Sequence, residues 1–514
     1  MAGVFSNAFL LSSLTILSRL LGLSRDILLF TAFGTSFFGE AFILAFTLPN
    51  LFRRMLGEGT LSSAFIPVYA SSLSSKSIQS AFELLNKVLS RLSVALFSLS
   101  VLVCLASYYL SSLLTESKWS TASHLNSISF CYVAFICCAA IKIGALNSHG
   151  RFAAGGISPL ILNLAMIGTL SIFGVWKNVP LDDLAAYLCG AVVVGGLFQM
   201  LFPAIELKVK LRWKYKFDLQ SSPELEKVNQ IFWIGALGAA VTQINILVSR
   251  FLAFSLDDSG ALSYLFLSSR LIELPLGVFA ISLSTVLFPE LARRANDSDQ
   301  SCFRECVTKG IRLTLGITIP AAFGLGFLAT PILSLLFNWG MFTSNNVLLA
   351  SEILLISVLA LPFYASSGFL VKVFHSKKNM TAPLHAAILS MSVNLLMSVV
   401  LMRFYGVYGL AWANVLAALV QTVFLFLKTR EVNLSNLLTT RPLYILPVLG
   451  GSLVMCGVIE VIAVQIPVVS GKWGDLISLL VLIPSGVTFY LALLYLFRFP
   501  ELRNINQIIS KKLG

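Results

Sequence analysis

The chain has 514 residues, of which 57% are hydrophobic and only 11% charged, with a net charge of +13 and a mean hydropathy of +0.88. Soluble domains carry about 25% charged residues, so a string of water-soluble domains is excluded. Apolar runs near 20 residues recur from end to end, which predicts an all-α polytopic membrane protein; the roughly ten-residue alternating segments of a β-barrel are not seen.

In chain order, fourteen transmembrane helices are expected. They fall at about 8–33, 37–62, 82–112, 127–147, 157–176, 184–205, 228–255, 260–288, 309–336, 347–371, 382–403, 407–428, 442–466 and 475–497. The first eighteen residues hold no Lys or Arg, so the first apolar segment reads as a retained helix and not as a cleaved signal peptide. Basic stretches follow the even spans: "ELKVKLRWKYK" after span 6, "ARRANDSDQSCFRECVTKGIR" after span 8, "HSKK" after span 10, "KTR" after span 12 and "SKK" in the tail. Loops such as "GTSFFG" and "FNWGMFTSNN" are poor in base. The bias puts both termini in the cytoplasm and accounts for the positive net charge without nucleic acid.

An internal repeat appears at an offset of 222 residues: "AVVVGGLFQMLF" (191–202) lies over "ANVLAALVQTVF" (413–424), and "TLSSAFIP" (60–67) over "SLSTVLFP" (282–289). At offset 224, "ISPL" (157–160) lies over "TAPL" (381–384). The shared offset implies two pseudo-symmetric six-helix lobes, 1–227 and 228–440, with residues 441–514 outside the duplication. Two such lobes around a central cavity are a known basis for alternating access.

No GxxxxGK[ST], HExxH or GxSxG motif is present, and nothing places a nucleophile beside a base. The eight cysteines form no CxxC pair and lie mostly in apolar segments, where they read as small core residues. The four histidines are scattered, so neither metal nor cofactor is expected.

Charge inside the spans is the informative feature. An arginine at a helix centre costs about 2.5–3.5 kcal/mol on insertion scales, and such residues usually face a bundle interior or water. In "SRLLGLSRDILLF" (Ser18–Phe30), Arg19 lies too deep to snorkel, and Arg25 stands about 120° round the helix from it. Asp26 is expected to pair with an arginine on a neighbouring helix, and Glu40, opening span 2, either to complement the helix N-terminus or to pair with Arg25. Arg54 and Glu58 are spaced for a helix-face pair, which leaves Arg53 freer. In span 8, Arg270 has Glu273 three residues on, with Pro275 and Gly277 permitting a bend. Lysines are nearly absent from the spans. Arginine stays charged when desolvated and grips phosphates bidentately, so the expected ligand is an anion, a phosphate or diphosphate.

The stretch "SRLLGLSRDILLFTAFGTSFFGEAFILAFTLPNLFRRMLGEGTLSSAFIPVY" resembles the N-terminal signature of the MurJ/MviN family, lipid II flippases of the multidrug/oligosaccharidyl-lipid/polysaccharide exporter superfamily. Its pattern is S-R-x-L-G-x-x-R-D, then L-P-N-L-x-R-R-x-x-x-E-G, then A-F-x-P; "SRLIELPLGVFAISLSTVLFPEL" also resembles the family's span 8. The resemblance implies flipping of lipid II, the undecaprenyl-diphosphate-linked disaccharide-pentapeptide, across the bacterial inner membrane for peptidoglycan synthesis. It implies Arg19, Arg25, Arg53 and Arg270 as substrate-binding residues, Asp26, Glu40, Arg54, Glu58 and Glu273 as supporting charges, and a groove for the polyprenyl tail in the last two spans. Lipid II, the bilayer and proteins of wall synthesis or division are the partners such a role implies.

Some superfamily transporters couple to sodium through carboxylates in the C-terminal lobe; span 7 offers Gln243 and Asn245, and span 11 Asn394, but no acid, so no sodium site is expected. A flippase for another polyprenyl-diphosphate saccharide is the nearest alternative. A multidrug exporter of cations would need acidic cavity residues. A membrane enzyme acting on polyprenyl phosphates would need clustered carboxylates or histidines, which are not seen.

Overall fold

The computed structural model describes residues 2–114, 117–258, 260–295, 300–429, 445–465 and 471–496. Among these all regular secondary structure is helical, with no strand. Ten helices are long and apolar enough to cross a membrane, so the protein is a multi-pass membrane protein. Three of the expected spans are not among the ten: α1 (Ala2–Phe33), the element formed by α2 (Phe37–Phe52) and α3 (Leu61–Ser75), and α9 (Pro223–Ser255). Two of these hold Arg19, Arg25 and Asp26, or Arg53 and Arg54; the third, α9, holds Arg250.

The chain divides into two compact units, Met1–Gly260 with Trp339–Phe342, and Ala261–Asn338 with Thr343–Gly514. In the first, α2 and α3 are joined without interruption by π-helical turns over Arg53–Thr60. Then follow α4 (Ile78–Leu113), α5 (Lys118–Ser129), α6 (Tyr132–Ser148), α7 (Ala153–Thr169) and α8 (Leu181–Leu211). Serines cap where helices must begin: Ser36, Ser77, Ser117 and Ser222 each accept from a backbone N–H in the first turn of α2, α4, α5 and α9. α1 packs on α7, α6 and α7 on α8, and α2 on α5. The core is aromatic, with Phe65 and Tyr69 of α3 and Tyr132 of α6 fully buried. The segment after α8 runs extended across α4, where Trp213 donates to Asn86 Oδ1 at 3.0 Å and Arg91 Nη2 donates to the Leu219 carbonyl at 2.8 Å.

The helix α9 runs antiparallel to the α2–α3 element. Lys76 Nζ lies 2.5 Å from Glu224 Oε1, Gly235 lies against Thr60, and Arg250 Nη1 donates to Thr47 Oγ1 at 2.6 Å. The repeat counts this helix as the first of its second copy, yet its packing face is buried in the first unit. Segment Trp339–Phe342 also docks here: Met341 N–H donates to the Thr31 carbonyl at 2.9 Å, and Gly340, with φ +55°, approaches the Thr31 backbone too closely for any Cβ.

The second unit holds α10 (Ala261–Pro275), α11 (Ile281–Arg294), α12 (Gln300–Phe327), α13 (Ala329–Phe337), α14 (Ser344–Ser357), α15 (Leu361–Ser376), α16 (Thr381–Lys428), α17 (Ile445–Gln465) and α18 (Lys472–Leu496). α16 covers two of the expected spans and breaks at Gly406, whose φ of 53° lies in the left-handed region. The last two helices dock on α12 and α13: Tyr490 OH donates to the Gly316 carbonyl at 2.8 Å and Ser334 Oγ to Asp475 Oδ2 at 2.6 Å.

The aligned strings of the repeat fall on like elements. "ISPL" lies in the second turn of α7 and "TAPL" opens α16. "TLSSAFIP" and "SLSTVLFP" each stand where a π-helical stretch, Arg53–Thr60 or Leu276–Ala280, gives way to a proline-containing α-helix. The bend expected at Pro275 and Gly277 takes the form of those π turns.

Candidate anion-binding site

Arg19 is exposed on α1, with Leu17 and Leu20 exposed beside it, and makes no hydrogen bond or ion pair among the described residues. Arg25, two turns on, is held tightly. Its Nε and Nη2 donate to Asp26 Oδ1 at 3.0 and 2.7 Å, and its Nη1 donates to Asn163 Oδ1 at 3.1 Å. Asn163, reaching over from α7, donates in turn to the Ser18 carbonyl at 3.3 Å. The Arg25 side chain is 11% exposed. Asp26 thus engages the arginine beside it on its own helix, and of the two roles expected of Glu40 the pairing with Arg25 is not formed, the Arg25 fork being taken by Asp26 and by the Asn163 amide of α7. Glu40 is buried in the first turn of α2, where the helix N-terminus favours a carboxylate.

Along α2, polar groups recur every third residue. The Thr47 hydroxyl donates to the Ile43 carbonyl at 2.7 Å and accepts from Arg250; Asn50 Oδ1 accepts from Arg53 Nε at 2.9 Å. Arg53, expected to be the freer of its pair, is therefore oriented through Asn50 at the entrance to the π turns. The Arg54–Glu58 pair cannot be placed, because the Glu58 side chain lies outside the described residues.

In the second unit, Arg270 Nη1 lies 3.2 Å from Glu273 Oε2, the expected local pair, and its guanidinium sits 4.9 Å from the Phe266 ring centre. Glu273 is half exposed.

Four functional candidates escaped the sequence reading: Asn163, Thr47, Arg250 and Lys142. The first two are neutral residues in apolar runs, without a pattern to mark them. Arg250 lies five residues from the end of its helix, where snorkelling is the default reading. Lys142 is a rare lysine inside a span. It is 8% exposed within α6, its Nζ donating to the Met200 carbonyl at 3.3 Å. The cysteines are all free, four of them buried, with Cys104 and Cys131 Sγ 3.6 Å apart. No cluster of His, Cys, Asp or Glu suited to a metal occurs among the described residues.

The fold and these charges define a class: a multi-pass helical membrane protein with arginines set into apolar helices. A family model described as lipid II flippase MurJ matches residues 29–484. The chain is 32% identical to the probable lipid II flippase MurJ of Bdellovibrio bacteriovorus, over 98% of this chain and 97% of the relative. The solved structure of a lipid II flippase MurJ in an inward closed conformation superposes with a TM-score of 0.77 at 27% identity, covering 95% of this chain and 98% of its own. An inward-facing MATE family multidrug resistance transporter of the MOP superfamily shares the fold, with a TM-score of 0.65 at 14% identity over 84% of this chain and 99% of its own. The chain belongs to the lipid II flippase MurJ family.

Proposed function

We propose that this chain flips lipid II from the inner to the outer leaflet of the bacterial inner membrane for peptidoglycan synthesis, as a transporter and not as an enzyme. The observation that carries the reading is the family match along nearly the whole chain, together with arginines in helices that a bilayer would otherwise require to be apolar. Fourteen spans, both termini in the cytoplasm, two six-helix lobes (1–227 and 228–440) and a tail-binding pair of helices in 441–514 complete the arrangement. Arg19, Arg25, Arg53 and Arg270 bind the diphosphate in a shared cavity, while Asp26, Glu40, Arg54, Glu58 and Glu273 balance them. The lobes rock, opening the cavity first to the cytoplasm and then outward, while the polyprenyl tail stays in lipid. No covalent chemistry is required. Proteins of wall synthesis or division are the partners this role implies.

Moving net negative charge outward across an inside-negative membrane gains about 2.3 kcal/mol per charge per 100 mV, enough to drive a diphosphate. Flipping in vesicles should therefore slow when the potential is collapsed, and an unchanged rate would reject this driving force. The central test is replacement of Arg19 or Arg270 by Ala in cells depleted of their own lipid II flippase. Loss of wall synthesis is expected, and full rescue by both variants would remove the roles assigned here.

A further inference from the structure

We infer that Cys104 and Cys131 are an oxidisable thiol pair, a modification site for a quinone dissolved in the bilayer, and that closing the pair into a disulfide slows transport by disturbing the seat of α2. The two sulfurs come from different elements, Cys104 from α4 and Cys131 from the break between α5 and α6, and lie 3.6 Å apart. Among the described residues each thiol has the other as its polar side-chain partner and no further one. The α4 helix and the α5–α6 element run antiparallel, and contacts on both sides of the pair fix their register. Phe97 meets Phe135 edge-on at 5.6 Å on one side, and Asn126 Nδ2 donates to Ser107 Oγ at 2.8 Å on the other. Bond formation therefore asks the sulfurs to approach from 3.6 Å to about 2.05 Å, with no unpacking of the seam.

Both cysteines lie inside helices apolar and long enough to cross a membrane, and both are partly exposed. Val101 and Leu105, on the same helix as Cys104, are more than half exposed, a surface that a bilayer would cover. Water-soluble oxidants are kept from such a place, whereas quinones dissolve in it. The reaction balances: two S–H bonds break, one S–S bond forms, and the two electrons and two protons reduce the quinone to its hydroquinone. The consequence reaches α2 through the neighbours of Cys131. Ser129 Oγ donates to the Ala45 carbonyl at 3.4 Å, Phe130 meets Phe52 edge-on at 5.6 Å, and the buried Tyr132 packs on Phe46 at 6.1 Å. These contacts seat α2 just before the π turns that begin at Arg53. Interiors this closely packed transmit small displacements, so drawing Cys131 toward α4 moves Phe130 and Tyr132 against α2.

The test treats the full-length protein in proteoliposomes with a short-chain ubiquinone, whose fully substituted ring does not alkylate thiols. Free thiols are then counted after denaturation, linked peptides are mapped by mass spectrometry, and lipid II flipping is measured. The wild type should lose two thiols, in a peptide joining Cys104 to Cys131, and dithiothreitol should restore them; C104A and C131A should each lose none. Flipping by the wild type should slow several-fold on oxidation and recover with dithiothreitol, while the C104A/C131A double variant flips at the wild-type rate and ignores the quinone. Retention of every thiol by the wild type overturns the site, as does an equal loss of thiols in the double variant. A disulfide at this position with flipping unchanged overturns the link to α2. The thiol count does not depend on the cargo, so it stands or falls apart from the reading as a lipid II flippase.

Discussion

The two copies of the broken helix, Phe37–Phe52 through Ser75 and Ala261–Pro275 through Arg294, share a backbone but not a chemistry. Both run as α-helix into π turns and then into a helix bearing a proline. The 222-residue offset lays Arg53 over Pro275 and Arg270 over Leu48. The arginines are therefore not duplicates of one another. In the first copy the arginine stands at the mouth of the π turns and leans on a neutral amide; in the second it stands before them and is engaged by a carboxylate and an aromatic ring. Main-chain geometry survives duplication because it is set by hydrogen-bond topology, which many side chains tolerate. A guanidinium in lipid survives only where its neighbours stabilise it, so each was positioned separately.

The sharpest way to break this comparison is to remove each arginine in turn. Arg53→Ala and Arg270→Ala should each lower lipid II flipping about 10–150-fold, the worth of one charge-assisted hydrogen bond. Glu273→Gln should then separate the two sites: it releases Arg270 from its local pair and changes flipping, with no effect on Arg53-dependent binding of undecaprenyl diphosphate. Equal sensitivity of that binding to Glu273→Gln and to Arg53→Ala would mean that the copies act as one. Next in size is Asn163→Leu, which leaves Arg25 with Asp26 alone and removes the side-chain donor that the Ser18 carbonyl accepts in addition to its helical partner. It should cost about 1–3 kcal/mol, read as a lower Tm, and slow flipping, whereas an unchanged Tm would show the clamp to be dispensable.

Lys142→Met should move stability the other way. The second copy needs no such buried lysine, and replacing an ammonium satisfied by one carbonyl with an apolar chain of similar length should stabilise the fold by about 1 kcal/mol; a fall in Tm would show Lys142 to be structurally required. Smallest is the Lys76–Glu224 pair that holds the start of α9. Lys76 and the helix N-terminus hold the Glu224 carboxyl below the usual carboxylate range. A depressed pKa contributes stability above the ordinary value and loses it as pH falls through the lowered one. The pair should therefore be intact at neutral pH and weaken only below about pH 4. Lys76→Ala should cost no more than about 1 kcal/mol at pH 7, since the pair is largely solvated.

Hydropathy alone determined the all-helical, membrane-spanning character of this protein, because a bilayer leaves the backbone few ways to satisfy itself. The sequence also marked Arg19, Arg25, Arg53 and Arg270, because charge stands out against an apolar run whatever the fold. The Arg270–Glu273 pair was legible too, being set by helical spacing. Only tertiary structure decided the rest. That Arg25 is clamped by Asn163, 138 residues away in sequence, that Arg250 meets Thr47, and that α9 packs with the first unit although the repeat counts it with the second, all depend on which faces are pressed together. Neutral amides and hydroxyls leave no periodic trace in a sequence, and a duplication fixes the order of helices without fixing which neighbour each one buries.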